Sequence, residues 1–223
     1  WNIGSAYGTV VVGGYIYAAI TDTSIVRKVS LATGQAVLDI TVGNDPRGLC
    51  YDGTYIWCAN YGANGPVGTT VSKINVATDT VVATITVGTN PGFLEYDGSG
   101  YVWVACTTST NVYKINTTTN AVTTIAMGQT SGCVAFDNRA YMYFGSAATT
   151  ILKKVRITTN VVTGLLMPTV SYGICSASNF IWASNFNTKI CRINRMNSRI
   201  VQVKIGRSPT RRPAFDGKRI WLP

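Results

Sequence analysis

Short apolar runs alternate with polar positions along most of the chain, and turn residues separate the runs at regular intervals. Residues 44–88 show this most clearly. Alternation with a period of two, together with aromatic and β-branched residues, is typical of strands that are half buried. Asp52-Gly53 is a strong hairpin signal, because glycine accepts positive φ without a steric clash. The predicted strands are 48–51, 55–59, 71–76 and 81–87, which together form a four-stranded antiparallel meander.

The same pattern returns about every 40 residues, a period typical of repeat architectures. The predicted repeats are 5–43, 44–88, 89–128, 129–168 and 169–206, followed by a partial repeat at 207–223. A large ring lies at the equivalent place in each second strand: Tyr17, Trp57, Trp103, Tyr143, Trp182 and Trp221. A basic residue recurs in the third strand at Lys28, Lys73, Lys114, Lys154 and Arg192. We interpret Lys73, Lys114 and Lys154 as snorkelling at the sheet edges.

Packing of repeated sheets decides the predicted fold. A single four-stranded sheet cannot bury two apolar faces, so neighbouring sheets must pack face to face, and a radial arrangement does this while leaving only short edges. We therefore predict an all-β protein, a β-propeller of about six blades within one domain, 1–223. Five or seven blades, or a β-sandwich, are the alternatives. Because both ends fall inside a repeat, we expect the chain to be an excerpt of a longer one.

Two phrases in residues 42–88 resemble a known repeat. They read V-G-x-x-P-x-G-L-x-Y-D-G-x-Y-I-W-x-A-N and V-x-K-I-N-x-x-T-x-x-V-x-x-T-I-x-V-G. This skeleton resembles the YVTN-type β-propeller repeat, a relative of the NHL and streptogramin-lyase repeats. The match is close in the second and third repeats, looser in the fourth and fifth, and weakest in the first, where Val12-Gly13-Gly14 replaces Tyr-Asp-Gly. The resemblance implies a propeller, but propellers of this type serve enzymes, surface proteins and assembly parts alike.

The formal net charge of +10 is concentrated near one end of the sequence. Up to Thr188, nine basic residues face eight acidic ones, whereas from Lys189 onward ten basic residues face Asp216 alone. Such a field attracts acidic partners. We predict an acidic protein surface, or the rest of a longer parent chain, as the partner of this basic sector. A solvated face without a dedicated partner is the first alternative and a glycan the next, and nucleic acid is disfavoured. The predicted contacts are Arg195, Arg199, Arg207, Arg211, Arg212, Lys218 and Arg219.

The six cysteines show no C-x-x-C spacing. Cys50 and Cys58 lie on one hairpin but out of register, and Cys175 and Cys191 lie on strands that are not neighbours. We predict thiols without disulfides, which favours assembly in a reducing compartment. The final localisation stays open, with a virion or a cell surface as candidates. We also see no run of 18 apolar residues, and so no membrane span.

Catalytic chemistry finds little support. The sequence contains no histidine, so the commonest general base and metal ligand is missing. Streptogramin lyases, which the repeat resembles, are expected to use a histidine base, so their activity is not carried over. Asp52, Asp97, Asp137 and Asp216 recur at the first turn of a repeat, where aspartate stabilises the turn. We predict no catalytic residues, no metal site and no cofactor.

Two functions remain. The first is a non-catalytic interaction or structural module, such as a surface protein or a tail or capsid component of a bacteriophage. Its binding face would include Asn44, Asp45, Arg47, Asn90 and the loop 61–70. The second is a lyase-like enzyme or cofactor-binding propeller whose catalytic groups lie outside this segment.

Overall fold

The protein was analysed as a computed structural model that describes residues 3–63, 65, 67–184, 189–205, 213–216 and 218–221. The described chain consists of strands and turns without a helix. It forms two compact units, residues 1–124 and 125–223. The prediction of one domain is not tested by this division.

Each predicted repeat folds as one antiparallel sheet whose strands pair in chain order. Sheet 1 contains β1 (Ala6–Val12), β2 (Tyr15–Ile20), β3 (Ile25–Ser30) and β4 (Ala36–Thr41). Sheet 2 contains β5 (Pro46–Tyr51), β6 (Tyr55–Asn60), β7 (Thr70–Asn75) and β8 (Thr80–Thr86). Sheet 3 contains β9 (Pro91–Tyr96), β10 (Tyr101–Cys106), β11 (Asn111–Asn116) and β12 (Val122–Ala126), and the boundary between the units falls within β12.

Unit 2 repeats this arrangement. Sheet 4 contains β13 (Cys133–Phe136), β14 (Tyr141–Gly145), β15 (Ile151–Arg156) and β16 (Val162–Leu166). Sheet 5 contains β17 (Gly173–Ala177), β18 (Phe180–Ser184), β19 (Lys189–Asn194) and β20 (Ile200–Lys204). A two-stranded hairpin follows, formed by β21 (Ala214–Phe215) and β22 (Ile220–Trp221). The four-stranded meander predicted from the sequence is confirmed in all five complete repeats.

The strand register confirms that the recurring rings are equivalent. Trp57 lies directly opposite Lys73, and Trp103 lies directly opposite Lys114. Tyr17, Tyr143 and Trp182 face Lys28, Lys154 and Arg192 in the same way. Tyr17, Trp57, Trp103 and Tyr143 are buried, whereas Trp182 is partly buried and Trp221 is 56% exposed. Trp182 and Trp221 therefore keep the repeat position without the full burial of the other four rings.

The predicted structural role of the turn aspartates is also confirmed. Asp52 Oδ1 accepts hydrogen bonds from the backbone N–H groups of Thr54 and Tyr55 at 2.8 and 2.7 Å, and Oδ2 accepts one from Trp57 Nε1 at 2.8 Å. Asp97 and Asp216 bind Trp103 and Trp221 in the same manner. In sheet 4, Asp137 Oδ1 accepts three backbone N–H groups of its turn. One carboxylate thus closes the turn and, in three of the hairpins, satisfies the indole.

Within unit 1, apolar side chains of neighbouring sheets form continuous cores. One core joins sheets 1 and 2 through Tyr17, Val26 and Ile56. Another joins sheets 2 and 3 through Trp57, Leu94 and Val104. In unit 2, a core of the same kind contains Tyr143, Ile174 and Ile181. Face-to-face packing therefore buries both faces of sheet 2 in unit 1, and one face of sheets 4 and 5 in unit 2.

The first strands of unit 1 approach each other so closely that a side chain does not fit at certain places. A Cβ at Gly48 in β5 would lie 2.7 Å from the carbonyl oxygen of Gly92 and 2.9 Å from Cα of Phe93. Both are backbone atoms of the neighbouring sheet, so they cannot move aside cheaply. Gly8 in β1 meets the carbonyl oxygen of Arg47 in the same way. Glycine is thus required by the spacing between sheets.

We predict that Gly48→Ala lowers the free energy of unfolding by about 3 kcal/mol, because the added methyl group forces the first strands apart. Urea denaturation followed by tryptophan fluorescence measures the change. Gly132→Ala is the matched control, since a Cβ there meets no atom within 4 Å. Equal stability of the two variants would show that β5 and β9 are not closely packed.

Candidate functional site

Two lysines of the third strands in unit 1, Lys28 and Lys73, reach across to the neighbouring sheet. Lys28 of sheet 1 forms an ion pair with Asp79 of sheet 2, with Nζ 2.6 Å from Oδ2. Tyr17 donates its hydroxyl hydrogen to Asp79 Oδ1 at 2.8 Å. Lys73 and Lys114 are only 5% and 7% exposed. The snorkelling interpretation is therefore wrong for these two. For Lys73 the reason is that the third turn of sheet 3 covers the position that was expected to face water.

Lys73 contacts the third turn of sheet 3 at the place equivalent to Asp79. Its Nζ donates to the carbonyl oxygen of Thr117 at 2.6 Å and to Asn120 Oδ1 at 3.2 Å. Asp79 and Asn120 occupy matching turn positions, with φ of 54° and 60°. The ammonium also lies 4.1 Å from the centre of the Tyr55 ring and 5.0 Å from that of Trp57. The backbone is the same in both grooves, but only the first one supplies a carboxylate to the lysine.

The two lysines differ in their acid–base behaviour for this reason. Burial alone would lower the pKa of Lys28, but hydrogen bonds to Asp79 and Tyr17 outweigh burial, and the pKa is raised. Burial lowers the pKa of Lys73, and the more distant charge of Asp52 does not restore it. Desolvation penalises the charged form of a lysine unless a counter-charge is in contact. Lys73 is thus a buried cation that is poorly neutralised.

A cavity of about 360 Å³ opens above Lys73, between the first turn of sheet 2 and the third turn of sheet 3. Its lining residues are Asp52, Thr54, Tyr55, Lys73, Thr117 and Thr118. The lining combines the ammonium of Lys73, the carboxylate of Asp52, three threonine hydroxyls and the phenol ring of Tyr55. Pockets with a few convergent polar groups are the usual places of small-molecule recognition.

A second cluster lies at the other end of the strands, where β4 leads into β5. The Arg47 guanidinium lies 3.3 Å from the ring centre of Tyr61 and 4.9 Å from that of Tyr7. Arg47 Nε also donates to Asp45 Oδ2 at 3.1 Å. Asp45 is 1% exposed, and its Oδ1 accepts the backbone N–H of Asp22. Of the predicted binding residues here, Arg47 remains partly exposed, while Asp45 acts by holding it in place.

Asn44 and Asn90 belong to the same end of their sheets. The carbonyl oxygen of Asn44 accepts the backbone N–H of Gly62. The Asn90 side-chain amide donates to the carbonyl oxygen of Tyr61 at 3.0 Å. Both residues therefore fasten the start of the 61–70 loop. Their contribution to binding stays a prediction.

In unit 2, the predicted basic residues occupy turns. Arg199 lies between β19 and β20, and Lys218 and Arg219 lie between β21 and β22; all three are exposed. Arg195 is different, because its guanidinium donates to the carbonyl oxygen of Asp137 and to Ser176 Oγ. Arg207, Arg211 and Arg212 lie outside the described residues. The structure thus gives three exposed basic side chains of the predicted set and one that is used internally.

The predicted binding residues fall at two different strand ends. Asn44, Asp45 and Arg47 lie where a fourth strand leads to the next first strand, whereas Arg195, Arg199, Lys218 and Arg219 lie in first or third turns. Sequence reasoning missed the cavity above Lys73. Its signal was present in the recurring lysine of the third strand and in the aromatic residue two positions before the ring, which the five complete repeats share.

None of the six thiols forms a disulfide, and all are buried. The predicted register is confirmed, since Cys50 pairs with Trp57 and Leu49 pairs with Cys58. Burial raises the pKa of Cys106 to about 12 and also raises the pKa of Cys58 and Cys191. In the part of the chain that the structure describes, no group of three His, Cys, Asp or Glu side chains lies together as a metal site requires.

No protein-family model matches the sequence, and no curated protein matches it. Solved structures do match. Streptogramin B lyase has a TM-score of 0.83 at 16% identity, over 96% of this chain and 74% of that chain. Hydrazine synthase of Kuenenia stuttgartiensis has a TM-score of 0.79 at 11% identity, over 96% of this chain and 70% of that chain.

The computationally designed Ika8 protein is also similar, with a TM-score of 0.76 at 10% identity, over 95% of this chain and 65% of that chain. Together these likenesses show that the chain has a β-propeller fold, as predicted. At sequence identities this low, the activity, substrate or partner of a similar structure cannot be transferred to this chain. No helix in the described residues is long and apolar enough to cross a membrane.

We predict that Asp79→Asn lowers the free energy of unfolding by about 1–2 kcal/mol at neutral pH, because it removes a charged acceptor from Lys28 and Tyr17. The raised pKa of Lys28 means that this stabilisation is present below the ordinary lysine value of 10.5 and is lost as the pH rises through the folded value. Urea unfolding of both proteins between neutral and strongly alkaline pH measures the difference.

Asp39→Asn is the matched control, since it breaks the more exposed Arg27–Asp39 pair, in which the two side chains are 26% and 39% exposed. Its cost should stay below about 1 kcal/mol. A difference between wild type and Asp79→Asn that does not shrink at alkaline pH would contradict the assigned role of the Lys28 charge.

Proposed function

We propose that this chain is a non-catalytic interaction and structural module that docks an acidic protein surface through unit 2. The distribution of charge carries the proposal. Unit 2 contains fourteen lysines and arginines against Asp137 and Asp216, whereas unit 1 contains five against seven acidic residues. The formal charges are therefore +12 and −2. Unit 2 is already net positive before Lys189, the residue from which the sequence analysis counted the basic sector.

The acidic groups of unit 2 support this interpretation. Asp137 is buried and accepts the N–H groups of its own turn. Asp216 accepts backbone N–H groups of Lys218 and Arg219 and the indole of Trp221. These hydrogen bonds lower the pKa of Asp216, and the backbone N–H groups of Arg219 and Lys218 contribute most. The carboxylate therefore stays charged, and its oxygens are occupied by groups of its own hairpin. Arg199, Lys218 and Arg219 have exposed side chains and are available to a partner.

Long-range attraction between a basic surface and an acidic partner speeds association and weakens with added salt. Arginine is also enriched among the residues that contribute most to protein–protein binding. In unit 1, Arg47 between Tyr7 and Tyr61 adds a guanidinium and aromatic rings that suit a second contact. We assign no catalytic role to either set. A YVTN-type repeat and a place in a cell surface or a bacteriophage virion are the finer interpretations that the repeat skeleton and the composition rich in Thr, Asn and Gly support.

We predict that Arg199→Glu combined with Arg219→Glu weakens binding to a poly-glutamate peptide about tenfold at low salt, because both changes place like charges at the contact. Fluorescence anisotropy of the labelled peptide measures the affinity. Lys189→Glu with Lys204→Glu is the matched control, since it changes the net charge equally but alters β19 and β20 at their other ends.

The control should weaken binding much less than the test pair does. Equal losses in both variants would show that net charge alone acts, without a local interface. Binding to heparin or duplex DNA with no binding to the peptide would overturn the choice of an acidic protein. Near-stoichiometric amounts of the chain in purified particles or surface fractions, measured by quantitative mass spectrometry, would place the module in an assembly.

A further inference from the structure

The cavity above Lys73 is independent of the basic surface of unit 2 and has its own chemistry. Lys73 lies at its floor and is 95% buried, and its Nζ is held by Thr117 O and Asn120 Oδ1. The walls are formed by Thr54 and Tyr55 on one side and by Thr117 and Thr118 on the other. A volume of about 360 Å³ is near the lower end for ligand pockets and suits one monosaccharide-sized group.

The lysine in this cavity has no ion-pair partner among the described residues, whereas Lys28 in the equivalent groove between sheets 1 and 2 has one. In the groove between sheets 1 and 2, Asp79 lies 2.6 Å from the lysine and satisfies it. In the groove between sheets 2 and 3, Asn120 stands at the same turn position, and no described carboxylate lies within ion-pair distance of Lys73. A buried ammonium is costly unless an anion approaches it. The cavity therefore favours a ligand that brings a carboxylate or a similar anion.

The other polar groups of the cavity, Thr54, Thr118 and Asp52, favour a ligand that also carries hydroxyl groups. Thr54 and Thr118 are exposed at the rim, and their hydroxyls bind no described protein group. Asp52 Oδ1 already accepts two backbone N–H groups, but Oδ2 accepts only the Trp57 indole and can accept a further hydrogen bond. A simple anion would gain nothing from Asp52 and would be repelled by it. A hydroxyl donor next to the anion would form a hydrogen bond with Asp52 and offset this repulsion.

We propose that this cavity binds an acidic sugar, in its simplest form one uronic-acid unit of a glycan. The sugar carboxylate would pair with Lys73, and ring hydroxyls would donate to Asp52 and exchange hydrogen bonds with Thr54 and Thr118. Tyr55 gives the cavity an apolar wall. The ligand class follows from an ammonium, an acceptor carboxylate and paired hydroxyls within one small cavity.

The test uses the full chain labelled with ¹⁵N and titrated with sodium glucuronate, glucose or sodium acetate at constant ionic strength. Saturable shifts at the amides of Thr54, Tyr55, Thr117 and Thr118 are expected with glucuronate. Glucose and acetate should each bind about tenfold more weakly, because each lacks one of the two required functions. Acetate as strong as glucuronate, or glucose as strong as glucuronate, would overturn the proposal.

Asn120→Asp provides a variant that does not depend on damaging the fold. Aspartate tolerates this turn conformation, as Asp79 shows at the matching position. The new carboxylate should neutralise Lys73, raise the melting temperature and weaken glucuronate binding about tenfold. Thr84→Val on the exposed side of β8 is the matched control and should leave binding unchanged. Undiminished glucuronate binding by Asn120→Asp would also overturn the proposal.

Discussion

A buried indole can be tolerated only if its N–H finds an acceptor, and in this chain the first turn of a repeat supplies one. Asp52 binds the backbone N–H groups that form the turn and, through its other oxygen, Trp57 Nε1. The same ring then lies opposite Lys73 on the third strand. One carboxylate thus fixes the turn, the ring on the second strand and, through the ring, the surroundings of the lysine. Face-to-face packing of the sheets depends on rings held in this way.

Much of the fold could be predicted because its signals are local. Alternation, the Asp-Gly turn and the spacing of Trp57 and Trp103 are readable within one repeat, and each predicted strand of sheet 2 lies within two residues of the observed one. The contacts between sheets were not readable in this way. Lys73 and Thr117 are 44 residues apart, and the burial of Asp45 depends on Asp22 and Ala63 in other segments. The exposure of Trp221 likewise depends on its neighbours rather than on its repeat position.

A comparison of two grooves in unit 1 shows how a repeat protein can acquire different surfaces without a change of backbone. Asp79 and Asn120 share a left-handed turn conformation and face equivalent lysines. A single atom of difference between their side chains decides whether the lysine is neutralised. Stability and recognition therefore compete for the same position. One substitution at this turn therefore changes whether the lysine of the neighbouring sheet has a charged partner.

The six buried thiols can be used to measure local unfolding of the sheets that contain them. A thiol reacts with alkylating agents only as the thiolate, and burial suppresses both its ionisation and the access of reagent. Alkylation therefore requires local unfolding around each cysteine. Sheets 2, 3, 4 and 5 each carry at least one such residue. The rate at which each mass label appears would rank the opening of four blades in the unmodified protein.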